Sequence, residues 1–216
     1  ALVSKNCAEW IIADLSIWMA GAVSVPLYPT LVEETVRQIM EHSESKFLFV
    51  GKLDDWDMMK AGVPEGVKQV AFTLAPRDAL NDFPNWGDII RDTAPIEKVA
   101  EPAMEDIATI IYTSGTTGMP KGVMHDFQSF STVGEKMIKV YNLTPDERMI
   151  SYLPLSHVAE RVAVEIAQLY VGNKIFFAES LETFGEDIKR AQPTVFFAVP
   201  RIWSKFYQKA SEAVPP

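Results

Sequence analysis

Residues 112–122 read Tyr-Thr-Ser-Gly-Thr-Thr-Gly-Met-Pro-Lys-Gly and follow the apolar run Ile107–Ile111. Four hydroxyl side chains (Thr113, Ser114, Thr116, Thr117) and three glycines (Gly115, Gly118, Gly122) surround one lysine, Lys121. Glycine lets a backbone take positive φ and come close to a ligand. Consecutive backbone N–H groups in such a loop form an anion-binding concavity. The hydroxyls add donors, and Lys121 adds a mobile positive charge suited to phosphate. The chemistry indicated is polyphosphate binding, with ATP as the ligand. Clusters of Ser, Thr and Gly are usually plain surface turns, but here the pattern holds over the whole stretch. It is not a Walker A loop, which needs Gly-x-x-x-x-Gly-Lys-[Ser/Thr]. Gly118 precedes Lys121 by three positions and Gly122 follows it. Kinase and GTPase readings therefore fail on spacing.

A second candidate is His157, which follows Pro154 in a short loop between a predicted strand and a predicted helix. Read alone, it is a histidine near a helix N-terminus with a structural hydrogen bond. His42 reads as a helix-end residue, favourable there for the dipole, and His125 as the start of the next helix. Arg161 and Arg201 could bind phosphate or carboxylate, but each reads as a helix-surface or salt-bridge residue. Trp203, Phe206 and Tyr207 recur at helical spacing, and such a stripe is core more often than ligand tunnel.

The elements that position these residues alternate between helix and strand. Asn6, with Glu9 three residues on, is expected to cap a helix over about 7–20 that stops at Gly21. Val23–Leu27, Phe47–Val50 and Gln69–Thr73 read as buried strands. Thr30 and Glu33 form an expected capping box for a helix with Val36, Ile39 and Met40 on its apolar face. Short helices are expected over 54–60 and 86–91. Thr93–Asp106, with Pro95, Pro102 and mixed charges, reads as a linker. It separates an α/β portion over 1–92 from a second over 107–216. The second portion opens on the strand Ile107–Tyr112, the glycine loop, and a helix from about 127. Strands at Met149–Leu153, Ile175–Ala178 and Thr194–Val199 alternate with helices over 158–171, after Thr183, and from Pro200. Near-continuous apolar strands between helices predict a mainly parallel α/β fold covered on both faces. In such sheets ligands sit at the carboxyl ends of strands, where the glycine loop falls.

Bulk properties exclude several classes. The net charge of −9 disfavours a general nucleic-acid or anionic-membrane surface. It does not disfavour ATP, which one nest and one lysine can hold. A single cysteine, Cys7, allows no intramolecular disulfide and no cysteine-rich zinc site. A reducing cytoplasm is the natural compartment. The apolar window Trp10–Leu27 is interrupted by Asp14, Ser16, Gly21 and Pro26, which argues against a membrane span.

The 112–122 stretch resembles the phosphate-binding signature of the adenylate-forming (AMP-binding) enzymes, a superfamily of acyl- and aryl-CoA synthetases, luciferases and peptide-synthetase adenylation domains. Leu153-Pro154-Leu155-Ser156-His157-Val158-Ala159-Glu160-Arg161 resembles the second core motif of that superfamily. Val199-Pro200-Arg201-Ile202-Trp203, Ser4-Lys5-Asn6-Cys7-Ala8-Glu9-Trp10 and Val25-Pro26-Leu27-Tyr28-Pro29-Thr30 resemble segments of its long-chain acyl-CoA synthetase branch.

This resemblance implies part of the large N-terminal domain of an ATP-dependent long-chain fatty acid–CoA ligase. The small molecules implied are ATP, Mg²⁺, a fatty acid and CoA. Peripheral contact with a membrane is compatible with that role. Residues 113–118 and Lys121 would hold the phosphates, Thr113 would also help hold Mg²⁺, and His157 would lie beside the carboxylate and acyl channel. Other members of the superfamily, acting on aryl acids or in peptide synthetases, and a non-catalytic nucleotide-binding module remain alternatives. In the family, a downstream Tyr-Gly-x-Thr-Glu motif, a ribose-binding aspartate and a small C-terminal domain with a catalytic lysine complete the site. None occurs in these 216 residues, so the chain is expected to be an excised part, inactive by itself.

Overall fold

A computed structural model describes residues 1–113 and 118–213. β1 (Leu2–Val3), β2 (Pro26–Leu27), β3 (Phe47–Val50) and β4 (Lys68–Ala71) form a parallel sheet in the order β2-β1-β3-β4. Parallel neighbours require crossover connections. α1 (Ala8–Met19) and α2 (Glu33–His42) supply two of them, and the short helix α3 (Asp57–Lys60) lies in the third. α4 (Arg77–Asp82) and α5 (Trp86–Asp92) follow β4.

The pleat divides the strand side chains between two cores. Val3, Leu48 and Val50 join Val36, Ile39, Met40, Trp56 and Met59. Leu2 and Phe49 join Trp10, Ile11, Phe72 and Leu155. The α/β architecture expected from the alternating pattern is thus the one observed.

β5 (Ile107–Thr113) attaches beside β2 through a parallel bridge between Ser24 and Thr109. Ser24 N donates to Ala108 O at 3.1 Å, and Ile110 N donates to Ser24 O at 2.9 Å. β6 (Lys121–Asp126) then returns antiparallel to β5. This strand departs from the expectation of a loop running straight to a helix. α6 (Phe127–Tyr141) starts where expected, with Asp126 accepting from Ser129 N at 2.8 Å, and ends at Asn142 with φ 49°.

β7 (Arg148–Ser151) and β8 (Lys174–Phe177) form a parallel pair. Between them α7 (Val158–Glu160) continues through a π-helical stretch, Arg161–Ile166, into α8 (Ala167–Val171). Gly172, at φ 77°, ends this helix as expected. α9 (Phe184–Ala191) and α10 (Pro200–Ala213) complete the described chain.

Several local expectations are corrected. The side chain of Asn6 does not cap α1, whose N-cap is Cys7. Glu9 accepts instead from Thr73 N and Oγ1 at 3.1 and 2.7 Å. The Thr30–Glu33 box does not form, because the helix begins after Val32. Residues 194–199 form no strand. Thr194 N still donates to Arg148 O at 2.9 Å, and Phe196 turns inward onto Tyr152, Phe184 and Phe206. Of the three predicted core aromatics in α10, Phe206 joins the core, Trp203 sets its ring edge-on to Phe196 and Phe206 yet stays 51% exposed, and Tyr207 is 77% exposed. Among the described residues no helix is long and apolar enough to cross a membrane.

Candidate functional site

The phosphate-loop candidate is the turn of the β5–β6 hairpin. Register pairs Thr113 with Lys121 and Tyr112 with Gly122. The stem therefore sets an exposed hydroxyl beside an exposed ammonium. Both stand at the carboxyl end of β5, the end at which ligands bind in open α/β sheets. Ser114, Gly115, Thr116 and Thr117 lie outside the described residues. Gly118 sits at φ +86° with open space where a side chain would start. A β-carbon there would be strained by the backbone, not by crowding.

Gly122 is required for a different reason. A β-carbon would lie 2.7 Å from Ile110 Cγ2 and 3.2 Å from Tyr112 Cζ. A larger residue would press on Ile110 and, less closely, on the Tyr112 ring across the stem. That ring is buried, and its hydroxyl meets His42 Nδ1 at 2.6 Å. Burial raises the Tyr112 phenol above its ordinary pKa, so it stays neutral. His42, the last residue of α2, thus braces the hairpin from the neighbouring helix.

His157 is exposed and stands at the N-terminus of α7, after the loop that leaves β7. Its Nδ1 accepts from Ala159 N at 3.1 Å. This contact engages Nδ1 and leaves Nε2 as the nitrogen free to meet a ligand. The loop before it is pinned from both sides. Asn6 Nδ2 donates to Ser151 Oγ at 2.8 Å and to Leu153 O at 2.6 Å, and Asn6 Oδ1 accepts from Leu155 N at 3.0 Å. The buried Glu160 accepts from Ser151 Oγ at 2.7 Å and from Tyr152 N at 3.0 Å. Burial pushes the Glu160 carboxyl up to about 7, against the opposing pull of these hydrogen bonds.

Arg161 joins the two motifs. It is fully buried, with Nη1 donating to Thr109 Oγ1 of β5 at 2.7 Å. Nε donates to Glu165 Oε2 at 3.1 Å, and Nη2 pairs with Asp14 of α1. Among the described residues no hydrogen bond or ion pair links His157 directly to Thr113 or Lys121. The connection between them runs through the Arg161–Thr109 bond. Arg161, which reads from sequence as a helix-surface or salt-bridge residue, is a salt-bridge residue but a buried one, and nothing local marks Asn6, Glu160, Thr109 or His42 as supports. The available signal was Asp14, one acidic residue inside an apolar window, together with Glu165 four residues after Arg161.

No group of three or more His, Cys, Asp or Glu side chains that could hold a metal occurs among the described residues. Thr113 supplies one neutral oxygen. A Mg²⁺ ion there fits only if phosphate and water provide most of its ligands, which is the ion's common habit. Arg201, the other cation weighed from sequence, is exposed near the start of α10. Two cavities lie away from this hairpin and from His157. One of about 690 Å³ opens between the end of α2 and the amino ends of β3 and β4. Another, of about 240 Å³ and apolar, lies between Trp18, Phe127, Phe130 and Ile166.

Comparison with known proteins gives consistent results. A family profile described as AMP-binding enzyme matches residues 1–214. The chain is 32% identical over 226 residues to human long-chain-fatty-acid–CoA ligase 1, covering 96% of the chain and 32% of that protein. It is 30% identical over 222 residues to human long-chain-fatty-acid–CoA ligase ACSBG2, covering 96% and 33%. The chain thus spans about a third of the length of these curated relatives. Among solved structures, the anthranilate CoA ligase AuaEII in complex with anthranoyl-AMP superposes with a TM-score of 0.80 at 22% identity, over 92% of this chain and 39% of that one. The o-succinylbenzoate CoA synthetase of Bacillus subtilis with ATP and magnesium gives a TM-score of 0.74 at 22% identity, over 96% and 40%.

Proposed function

The chain belongs to the AMP-binding enzyme family, and we propose on that premise that the complete protein activates a long-chain fatty acid with ATP and passes the acyl group to CoA. The observation that carries the reading is the hairpin itself. It brings Thr113 and Lys121 together across a turn whose sequence is rich in glycine and hydroxyls. The choice of long-chain acids is supported by relatives of that name at about 30% identity.

In this reading a carboxylate oxygen of the acid attacks the α-phosphorus of ATP. The bond from that phosphorus to the bridging oxygen breaks, and pyrophosphate leaves. The CoA thiol then attacks the acyl carbonyl, gives up its proton, and displaces AMP. Lys121 and the loop hydroxyls hold the departing phosphates and spread their charge. The Thr113 hydroxyl would be one ligand of a Mg²⁺ ion carried in with ATP, and such an ion would neutralise phosphate charge. His157 serves the acid. Its Nε2–H donates to the carboxylate and fixes the direction of attack, while Ala159 N holds the ring's other nitrogen.

The test is ATP–pyrophosphate exchange by the complete gene product with palmitate and with short and aromatic acids. Strong exchange that requires a long-chain acid supports the reading. Exchange only with aromatic acids would move the protein to another branch of the family.

A further inference from the structure

The Arg161 cluster lies outside the proposed chemistry, yet it occupies the junction of the site's two halves. Arg161, Asp14, Glu165, Thr109 and Ser24 are all buried. Ser24 Oγ donates to Asp14, Asp14 pairs with Arg161, Arg161 donates to Thr109, and Thr109 Oγ1 donates back to Ser24 O at 2.8 Å. This closed circuit ties α1, the segment before β2, β5 and the helix begun by His157. The guanidinium carbon lies 5.4, 5.5 and 5.3 Å from the ring centroids of Trp10, Trp18 and Phe130. Three aromatic faces therefore enclose it, from α1 and α6.

Such a cluster is weak evidence for stability, because well-packed apolar groups often replace a buried ion pair without loss. What it supplies is a defined geometry. Thr109 and Thr113 lie on the same strand, whose end carries the phosphate-loop candidate. His157 begins the helix from which Arg161 projects. Arg161 also opens a π-helical stretch, a distortion frequent at functional sites. One side chain thus sets the separation of the phosphate end and the acid end of the proposed reaction.

We infer that Arg161 is a positioning residue for adenylate formation, acting through Thr109 to hold β5 in register with the helix of His157. The inference rests on the acid-activating reading above. Its test uses the complete gene product, with ATP–pyrophosphate exchange in palmitate expressed per folded molecule. Thr109→Val keeps the shape and removes the acceptor, whereas Thr109→Ser keeps the hydroxyl. A displacement of about 1 Å in a reacting geometry lowers rates on the order of 100-fold, so Thr109→Val should lose kcat on that scale, with KM for ATP and palmitate changed less than about threefold. Thr109→Ser should retain most of the wild-type kcat. Arg161→Lys, which cannot reproduce the planar fork, should fall at least as far as Thr109→Val. If it fails to fold, Thr109→Val decides. Wild-type kcat in Thr109→Val with only a lowered Tm, or an equal loss in Thr109→Ser, would overturn this inference alone. Absence of exchange in the unmodified enzyme would overturn the acid-activating reading and this inference with it.

Discussion

At the scale of single residues, Lys121 and His157 carry separable claims. Lys121→Ala removes the stem's ammonium and should lower adenylate formation by about 10²–10³-fold, the usual loss for one charge-stabilising donor. Gly118→Val should act in the same direction, because its backbone sits at φ +86°. His157→Ala should raise the acid's KM or lower kcat and leave the KM for ATP nearly unchanged. A defect confined to ATP would contradict its assignment. Glu160 makes a claim about pH. Its carboxyl is raised to about 7 in the fold, so between its ordinary value and 7 the folded state binds more protons than the unfolded state. Stability is then complete at acid pH and declines as pH rises through 7. Urea unfolding at pH 5 and pH 8 should show a loss of up to roughly 3 kcal/mol in the wild type. Glu160→Gln, which can still accept from Ser151 and Tyr152, should flatten that slope. An identical slope in the variant would refute it. The glycines, hydroxyls and Lys121 were legible in the sequence because their types are unusual together. Asn6, Glu160 and Arg161 were not, because their partners lie across the fold: Asn6 meets Ser151, Leu153 and Leu155, and Arg161 meets Asp14.

Among the elements, β3 was legible residue for residue, since Phe47–Val50 is a short apolar run between polar flanks. β6 was not. Its Val123 and Met124 are exposed and Gly122 interrupts it, so no buried alternation marks the strand. Pairing with β5 creates it. The reverse error fell at 194–199, where an apolar run suggested a strand but the chain packs Phe196 against aromatic rings without a ladder. The capping signal near Asn6 failed because Asn6 and Glu9 find tertiary partners instead, and the one near Thr30 failed because α2 begins after Val32. The pinned loop before His157 gives a prediction at this scale. Asn6→Ala leaves Leu155 N and Leu153 O without that partner, and losing buried hydrogen bonds costs about 1–3 kcal/mol. Its Tm should fall and the acid's KM should rise with little change for ATP. An unchanged acid KM would show that the loop does not set the position of His157. Gly122→Ala, which drives a β-carbon to 2.7 Å from Ile110, should lower Tm by overpacking on the order of 1–3 kcal/mol. A Tm equal to wild type would mean the stem opens freely.

At the scale of the whole molecule, the described fold supplies the β5–β6 hairpin, an exposed His157 and a buried circuit that joins their elements. No metal-binding cluster accompanies them among the described residues. The chain spans about a third of the length of its curated relatives. We therefore propose that these 216 residues alone form no palmitoyl-CoA from ATP, Mg²⁺, palmitate and CoA, whereas the complete gene product does. Product from the 216 residues by themselves would contradict that division of labour. The central claim is that the β5–β6 hairpin holds ATP while a carboxylic acid attacks it. ATP–pyrophosphate exchange by the complete gene product, with palmitate, before and after Lys121→Ala, tests it most directly. The account predicts exchange that depends on the acid and collapses in the variant while the fold survives. Acid-dependent exchange at the wild-type rate in Lys121→Ala, or no exchange with any acid in the unmodified protein, would contradict it.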